Sequence, residues 1–327
     1  MIDLIGGSGF IGTRMAERLR QRDEPFVLVD KAASSRFPEQ HRFADVRDVQ
    51  SLRATMGGHA VVNLAAEHRD DVRPLSLYEE VNVEGARNVC QVATEQGART
   101  IVFTSTVALY GFAPPDTDEN GAINPFNAYG RTKWEAEQVY RQWYHADPAN
   151  RTLVILRPTV VFGEQNRGNV YNLLRQIASG RFVMVGSGRN RKSMAYVENI
   201  AAFLEYSLSF APGLYVYNYV DKPDFDMNTL VATVQERLGA AKGAGFRLPY
   251  LVGLGAGYAF DLAARATKRT FPISSIRVRK FCATTQFATS IEETGFVAPV
   301  SLEEGLRRTV RYEFLEGHGD EPGFLTE

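Results

Sequence analysis

Cysteine is scarce: the chain of 327 residues has two, Cys90 and Cys282. Two thiols do not make a disulfide framework, and their spacing fits no metal site. They read as reduced thiols of a cytosolic protein. An excess of charge is also missing. The net charge is -1, which gives no reason to expect a nucleic-acid partner. No run of about 20 apolar residues occurs, so no helix is expected to span a membrane. The start, "MIDLIGG", reaches a glycine-rich turn at once and leaves no room for a signal peptide before it. Internal repeats are absent. What is present is a 44% hydrophobic share, ample for a large core and one or two domains.

The first half alternates short apolar runs with helical patterns. The strand candidates are "IDLI" (2–5), "FVLVD" (26–30), "HAVVNLA" (59–65), "TIVFTST" (100–106) and "TLVILRP" (152–158). Continuous apolar runs suit strands covered on both faces. Helical stretches, such as Gly12–Gln21 and Leu77–Gln96, lie between them. The pattern predicts an α/β protein with a doubly wound parallel sheet of Rossmann type. After Phe162 the elements shorten, which suggests a smaller α/β lobe. The expected division is 1–163 for the dinucleotide domain, with later segments around 190–210 interleaved, and 164–327 for the substrate lobe. The polar end, "EGHGDEPGFLTE", is expected to fray.

"LIGGSGFIG" follows the first strand and opens a helix, with Gly6, Gly9 and Gly12 spaced G-x-x-G-x-x-G. Glycine permits the tight turn and lets a pyrophosphate approach the backbone at the helix N-terminus. Alone, such glycines also serve ordinary βα turns. Here an acidic residue, Asp30, ends the next strand. A carboxylate there can accept from a ribose diol and repel a 2′-phosphate, so NAD is expected above NADP.

The stretch "AYGRTKWEAE" sets Tyr129 and Lys133 four residues apart on one helical face. Tyrosine titrates near pH 10 and is a poor base at pH 7. An ammonium nearby favours its phenolate, which could then take a proton from a sugar hydroxyl as hydride leaves the same carbon. Thr104, Ser105 and Thr106 end a strand where open α/β sheets bind ligands, and can hold the reacting oxygen.

At these residues the chain resembles the extended short-chain dehydrogenase/reductase family, the sugar epimerases and dehydratases. "GGSGFIG" is similar to the family's glycine motif, and the resemblance implies cofactor contacts from Gly6, Gly9, Phe10, Ile11 and Gly12. "DVRD" resembles the adenine-contacting turn, with Asp45 and Val46. "NLAA" resembles the cofactor-lining segment, with Leu64, Ala65 and Ala66. Asn82 matches a helix asparagine that supports the site, and "LRPTVVFG" brings Pro158 beside the nicotinamide. "FTSTVALYG" and "YGRTK" imply a catalytic set of Thr106, Tyr129 and Lys133. Dehydratases of the family carry acidic residues after the catalytic threonine. Here Val107 and Ala108 follow, which disfavours dehydration and leaves 4-epimerisation or keto reduction.

On the substrate side the chain departs from UDP-galactose 4-epimerases. Val160 stands where they have an asparagine and Lys192 where they have a phosphate-binding arginine. Thr285 stands where glucose-restricted enzymes have a bulky tyrosine, which leaves room for an N-acetyl group. "EQNRGNVYNLL", "GSGRNRKSMAYVENI" and "RKFCATTQF" resemble bacterial epimerases that act on N-acetylglucosamine diphospho-undecaprenol for surface-polysaccharide (O-antigen) assembly. The substrate set implied is Glu67, His68, Arg69, Ser105, Thr106, Asn169, Lys192 and Thr285. His68, Arg69, Asp70 and Asp71 read equally as a solvated loop. A soluble UDP-sugar 4-epimerase or 4-ketoreductase is the competing enzyme, and a non-catalytic NAD-binding regulator the competing class. No metal is implied.

"LPYLVGLGAGYAF" (248–260) contains no charge and is flanked by Lys242, Arg247, Arg265, Lys268 and Arg269. Two readings stand: an interfacial segment drawn to anionic lipid, or a core helix of the small lobe. The first predicts a cytoplasmic protein peripherally associated with the inner membrane. The aromatics after Tyr129, namely Trp134, Tyr140, Trp143 and Tyr144, together with the family resemblance, predict a homodimer.

Overall fold

A computed structural model describes residues 1–69, 72–239, 246–267, 274–318 and 323–324. Asp70, Asp71, Lys242, Lys268 and Arg269, discussed above, lie outside the described residues, as does most of the polar end.

Strands β1 (Ile2–Ile5), β2 (Phe26–Asp30), β3 (His41–Phe43), β4 (Ala60–Asn63), β5 (Thr100–Thr104) and β6 (Thr152–Pro158) come first. Beyond β6 the chain forms short strands β7 (Val160–Phe162), β8 (Val183–Val185), β9 (Arg191–Lys192) and β10 (Met194–Tyr196). It then returns as β11 (Gly213–Tyr219). The main sheet is parallel and runs β11-β6-β5-β4-β1-β2-β3. The strand order reverses between β1 and β4, and ligands bind beyond the carboxyl ends of the strands at such a point.

Successive strand residues face opposite layers. Ile5, Val61, Ile101, Phe103 and Ile155 pack against α4 (Gly85–Glu95) and α5 (Ala128–His145). Leu4, Val62, Val102, Val154 and Leu156 pack against α1 (Phe10–Gln21) and α7 (Val197–Ser207). The small lobe has its own core, including Leu174, Met184, Val231 and Leu306. It is built from α6 (Asn169–Ala178), α8 (Met227–Arg237) and α11 (Leu302–Leu315), beside β12 (Phe225–Asp226) and β13 (Phe246–Leu248). Helices α9 (Tyr250–Thr267) and α10 (Ser275–Cys282) complete it, and α2 (Val49–Thr55) and α3 (Ser76–Tyr78) precede them in the chain.

Several boundaries differ from the sequence expectation. The 59–65 strand ends at Asn63, whose Oδ1 accepts the Ala65 amide at 2.9 Å and turns the chain. The 100–106 strand ends at Thr104, because Thr106 instead caps a 3-10 turn, its Oγ1 accepting the Ala108 amide at 3.1 Å. The 77–96 helix is interrupted by a π-helical segment, Glu79–Glu84. The chain returning to the main sheet extends past 190–210, to Tyr219. At the polar end, Phe324 is docked: its amide donates to the Gln165 carbonyl and its own carbonyl accepts from the Arg167 amide. Tyr140 and Trp143 are buried in the chain's own core, and Trp134 and Tyr144 are half-buried.

Candidate active site

Tyr129 lies in the first turn of α5, and the cap sets its position. Asn127 Oδ1 accepts the Gly130 amide at 2.9 Å, satisfying one of the free donors at a helix start. A Cβ on Gly130 would stand 2.7 Å from the Ala108 carbonyl oxygen. Glycine after the tyrosine therefore lets α5 close on the turn that follows Thr106. The Thr106 hydroxyl is thereby set beside the Tyr129 phenol, where it favours the ionised form. Lys133 follows one turn later, 2% exposed, its ammonium 4.3 Å from the centre of the Phe103 ring.

Burial dominates the electrostatics of this pair. It pushes the Tyr129 phenol up to about 12, against the opposing influence of the Thr106 hydroxyl. It pushes Lys133 down to about 7, against the attraction of Glu137. Desolvation disfavours whichever form is charged. The tyrosine is thus held protonated until positive charge gathers beside it, and the lysine is poised to supply that charge near neutral pH.

Beneath the pair is an ionic network that sequence reading missed. Glu137 is fully buried and takes a bidentate bond from Arg157, at 2.9 and 2.7 Å. Arg157 also donates to the Tyr110 hydroxyl at 2.7 Å and the Glu119 carbonyl at 3.0 Å. Tyr110 in turn donates to Asn218 at 2.8 Å. The network ties α5, β6, β11 and the 110–119 segment together. Its signal was in the sequence: Arg157 is the single charge in the strand "TLVILRP", and Glu137 is four residues from Lys133.

Asn82, in the π-helical segment, uses its whole amide. Its Oδ1 accepts the Glu67 amide at 2.8 Å, and its Nδ2 donates to the Glu67 carbonyl and to Thr132 Oγ1, both at 3.0 Å. It thus fixes the segment after β4 to the helix that carries Tyr129 and Lys133. Thr104 Oγ1 and Ser105 Oγ are buried without partners at the end of β5, which leaves both hydroxyls free to meet a ligand.

The reversal point of the sheet has the shape of a dinucleotide cradle. Gly6 has a φ of +73°, and a Cβ there would meet the Ala65 amide nitrogen at 2.6 Å. The turns after β1 and β4 can approach this closely only with glycine. Asp30 Oδ2 accepts the Ser8 amide at 3.0 Å and Oδ1 the Ala32 amide at 2.9 Å. Two bonds leave a carboxylate capacity for further donors. Ser8 Oγ is buried and unpartnered within the loop. A close backbone approach, a free hydroxyl and a half-buried carboxylate fit a dinucleotide. Gly9 stands as N-cap of α1, with Phe10, Ile11 and Gly12 in its first turn, and Leu64 and Ala66 flank Ala65. Val46 packs under Gly85, and Asp45 binds the Arg47 guanidinium, whose hydrogen bonds hold the carboxyl below its usual value. Pro158 ends β6.

The expected substrate residues are more scattered. Glu67 and His68 follow the cofactor-lining turn. The Arg69 carbonyl accepts from the Tyr78 hydroxyl. Lys192 and Thr285 pair as a β-bridge. The Lys192 ammonium donates to the carbonyls of Lys280 and Ala283 at 2.8 and 2.6 Å, so it caps the C-terminus of α10. Asn169 opens α6 and is exposed.

The pattern of the NAD dependent epimerase/dehydratase family matches residues 2–218. An N-acetyl-alpha-D-glucosaminyl-diphospho-ditrans,octacis-undecaprenol 4-epimerase of Escherichia coli O157:H7 is 52% identical over 327 residues, covering 99% of this chain and 98% of that protein. The UDP-glucose 4-epimerase of Vibrio cholerae is 25% identical over 211 residues, 60% of this chain and 63% of that one. Among solved structures, the UDP-glucose 4-epimerase of Thermus thermophilus in complex with NAD superposes with a TM-score of 0.71 at 20% identity, covering 95% of this chain and 98% of that one. The last shows the fold, and the first two carry the sequence relationship. The chain belongs to the NAD dependent epimerase/dehydratase family.

Proposed function

We propose that this protein is an NAD-dependent sugar 4-epimerase that interconverts undecaprenyl-diphospho-N-acetylglucosamine and undecaprenyl-diphospho-N-acetylgalactosamine. The observation that carries this reading is the 52% identity, sustained over 99% of the chain, to an epimerase named for that lipid-linked sugar. Bound NAD supplies a hydride acceptor and donor at the sugar's C4. The chain's own residues move the proton and hold the oxygen. Thr106 orients the C4 hydroxyl, and Tyr129 takes its proton while Lys133 supplies the positive charge that makes a phenolate attainable. The 4-keto sugar turns over in the site, the hydride returns to the opposite face of C4, and Tyr129 returns the proton to the C4 oxygen, which completes inversion. Val107 and Ala108 offer no acid for loss of water, which supports epimerisation over dehydration.

Residues 1–163 with the returning 190–219 segment hold the cofactor in this reading, and the remainder of 164–327 shapes the substrate side. Among the described residues no helix is long and apolar enough to cross a membrane. The lipid-linked sugar is reached, in this reading, from the cytoplasmic surface of the bilayer. A homodimer is the assembly we propose, on the family resemblance alone. The deciding experiment incubates the purified protein with the undecaprenyl-diphosphate sugar and, separately, with UDP-N-acetylglucosamine. Inversion of the lipid-linked sugar is expected. Efficient turnover of the nucleotide sugar alone makes the protein a soluble UDP-sugar 4-epimerase instead.

A further inference from the structure

Helix α9 turns much of its apolar surface to the outside. Gly253 and Gly257 face inward: a Cβ on Gly253 would meet the Val185 side chain at 2.5 Å, and one on Gly257 would meet Ser275 Cα at 2.8 Å. Leu254 and Phe260 are half-buried, and the other large apolar residues of the helix face outward. Leu251 is 77% exposed and Leu262 68%, with Val252 and Tyr258 also exposed. From Tyr250 to Ala264 the only charged residue is Asp261, and its carboxylate turns inward to accept the Ser275 amide at 3.2 Å. A helix at a water surface normally shows the opposite order. Scattered exposed leucines are ordinary, but here Phe246 on β13 and Ile276 on α10 are exposed as well.

The charge beside this face has one sign. Strand β13 and helices α9 and α10 contain Arg247, Arg265, Arg277, Arg279 and Lys280, against the single inward acid. The face also leads to the reaction centre. Arg279 donates to the hydroxyl of Tyr258 on α9. Next to it, the Lys280 ammonium stands 5.0 Å from the centre of the Phe126 ring. Phe126 stacks on Phe112 with ring centres 5.0 Å apart, and both rings are exposed, Phe112 by 71%. Phe126 immediately precedes Asn127, the cap of the helix that carries Tyr129.

We propose that the outer faces of α9 and α10, continued by the Phe112–Phe126 pair, dock on an anionic phospholipid bilayer and hold the rim of the catalytic cleft against it. This rests on the lipid-linked substrate proposed above. A large apolar face with basic flanks is the arrangement of a helix that lies in the membrane interface, and anionic headgroups answer the arginines and lysine. A second copy of the chain answers them poorly, because a two-fold contact sets this basic surface against itself.

The test is co-sedimentation of the full-length, NAD-loaded protein with vesicles that carry no sugar substrate. Binding is expected to vesicles containing phosphatidylglycerol and to weaken with added salt, with much less on phosphatidylcholine alone. Leu251→Asp with Leu262→Asp is expected to abolish binding while NAD affinity and the thermal midpoint stay unchanged, since both side chains are exposed. Arg279→Gln with Lys280→Gln is expected to weaken binding roughly 25-fold, at about fivefold per basic residue. This variant decides should the aspartates prove disruptive. Wild-type protein that ignores anionic vesicles overturns the proposal. So does vesicle binding that survives both pairs of substitutions, or a dimer in light scattering that the aspartate pair dissolves while vesicle binding persists. Turnover of the lipid-linked sugar in detergent by a protein that ignores vesicles removes the docking surface and leaves the function standing. Vesicle binding without such turnover does the reverse.

Discussion

Lys133→Met should stabilise the cofactor-stripped protein while destroying its activity. Burial lowers the Lys133 ammonium from its ordinary 10.5 to about 7. Between those values the unfolded chain binds a proton that the folded one does not, so stability rises with pH there. At about 1.4 kcal/mol per unit, folding near pH 7 carries a penalty on the order of 4 kcal/mol from this side chain alone. The contact with the Phe103 ring offsets about 1–2 kcal/mol. Methionine keeps the volume and has no proton to lose. The variant should therefore gain roughly 2–3 kcal/mol near pH 7, and the gain should shrink towards zero as pH approaches 10. Tyr129 does not enter this window, because its phenol stays protonated up to about 12 when folded and titrates near 10 when unfolded. Denaturant unfolding of both proteins at about pH 7 and about pH 9.5 measures the gap. A variant no more stable than wild type near neutrality, or a gap that does not change with pH, refutes the electrostatic account of the site.

The remaining predictions concern the same cluster and its cofactor. Tyr129→Phe keeps the ring and removes the acid/base oxygen, so kcat should fall about 10²–10⁴-fold with NAD binding retained; near-normal turnover rules out the phenol as the proton carrier. Asp30→Ala should weaken NAD binding, because the carboxylate holds the Ser8 amide and, in the proposed reading, accepts from the ribose; titration calorimetry should show no gain for NADP beyond loss of discrimination. Glu137→Leu strands Arg157 as a buried unpaired charge, at a cost of about 3–5 kcal/mol. Adding Arg157→Met should recover much of that loss, and strictly additive effects in the double-mutant cycle would mean the two side chains are not coupled.

The legible part of the fold was the part whose residues carry one signal. Strands β1, β2 and β6 are mainly apolar runs, and their observed bounds match the runs read from the sequence. Strand β11 was not found, because "GLYVYNY" alternates tyrosines with leucine, valine and asparagine at the edge of the sheet and stays mostly half-buried. Strand β3 is three residues of an exposed edge, "HRF", with no apolar run to detect. The short strand at 59–65 and the break at Thr106 both turn on a side chain that bonds to the main chain nearby. Such a bond competes with the ladder and is invisible to periodicity.

At the site the difference is between identity and pairing. Tyr129, Lys133, Thr106 and the glycine loop were readable because their spacing along the chain is itself the geometry: one helical turn, one strand end, one βα turn. Glu137, Arg157, Tyr110 and Asn218 come from four separate stretches and become a network only once α5 lies across β5 and β6. Lys192 shows the converse. Its position suggested a phosphate contact, but its ammonium lies against two carbonyls at the end of α10, where burial lowers it to about 8. A lysine held by neutral acceptors keeps a proton free for an anion at modest cost, since among the described residues no carboxylate pairs with it. The same bonds join it to the helix whose Arg279 and Lys280 flank the apolar face, so a diphosphate gripped at Lys192 would lie against the element that we place on the bilayer.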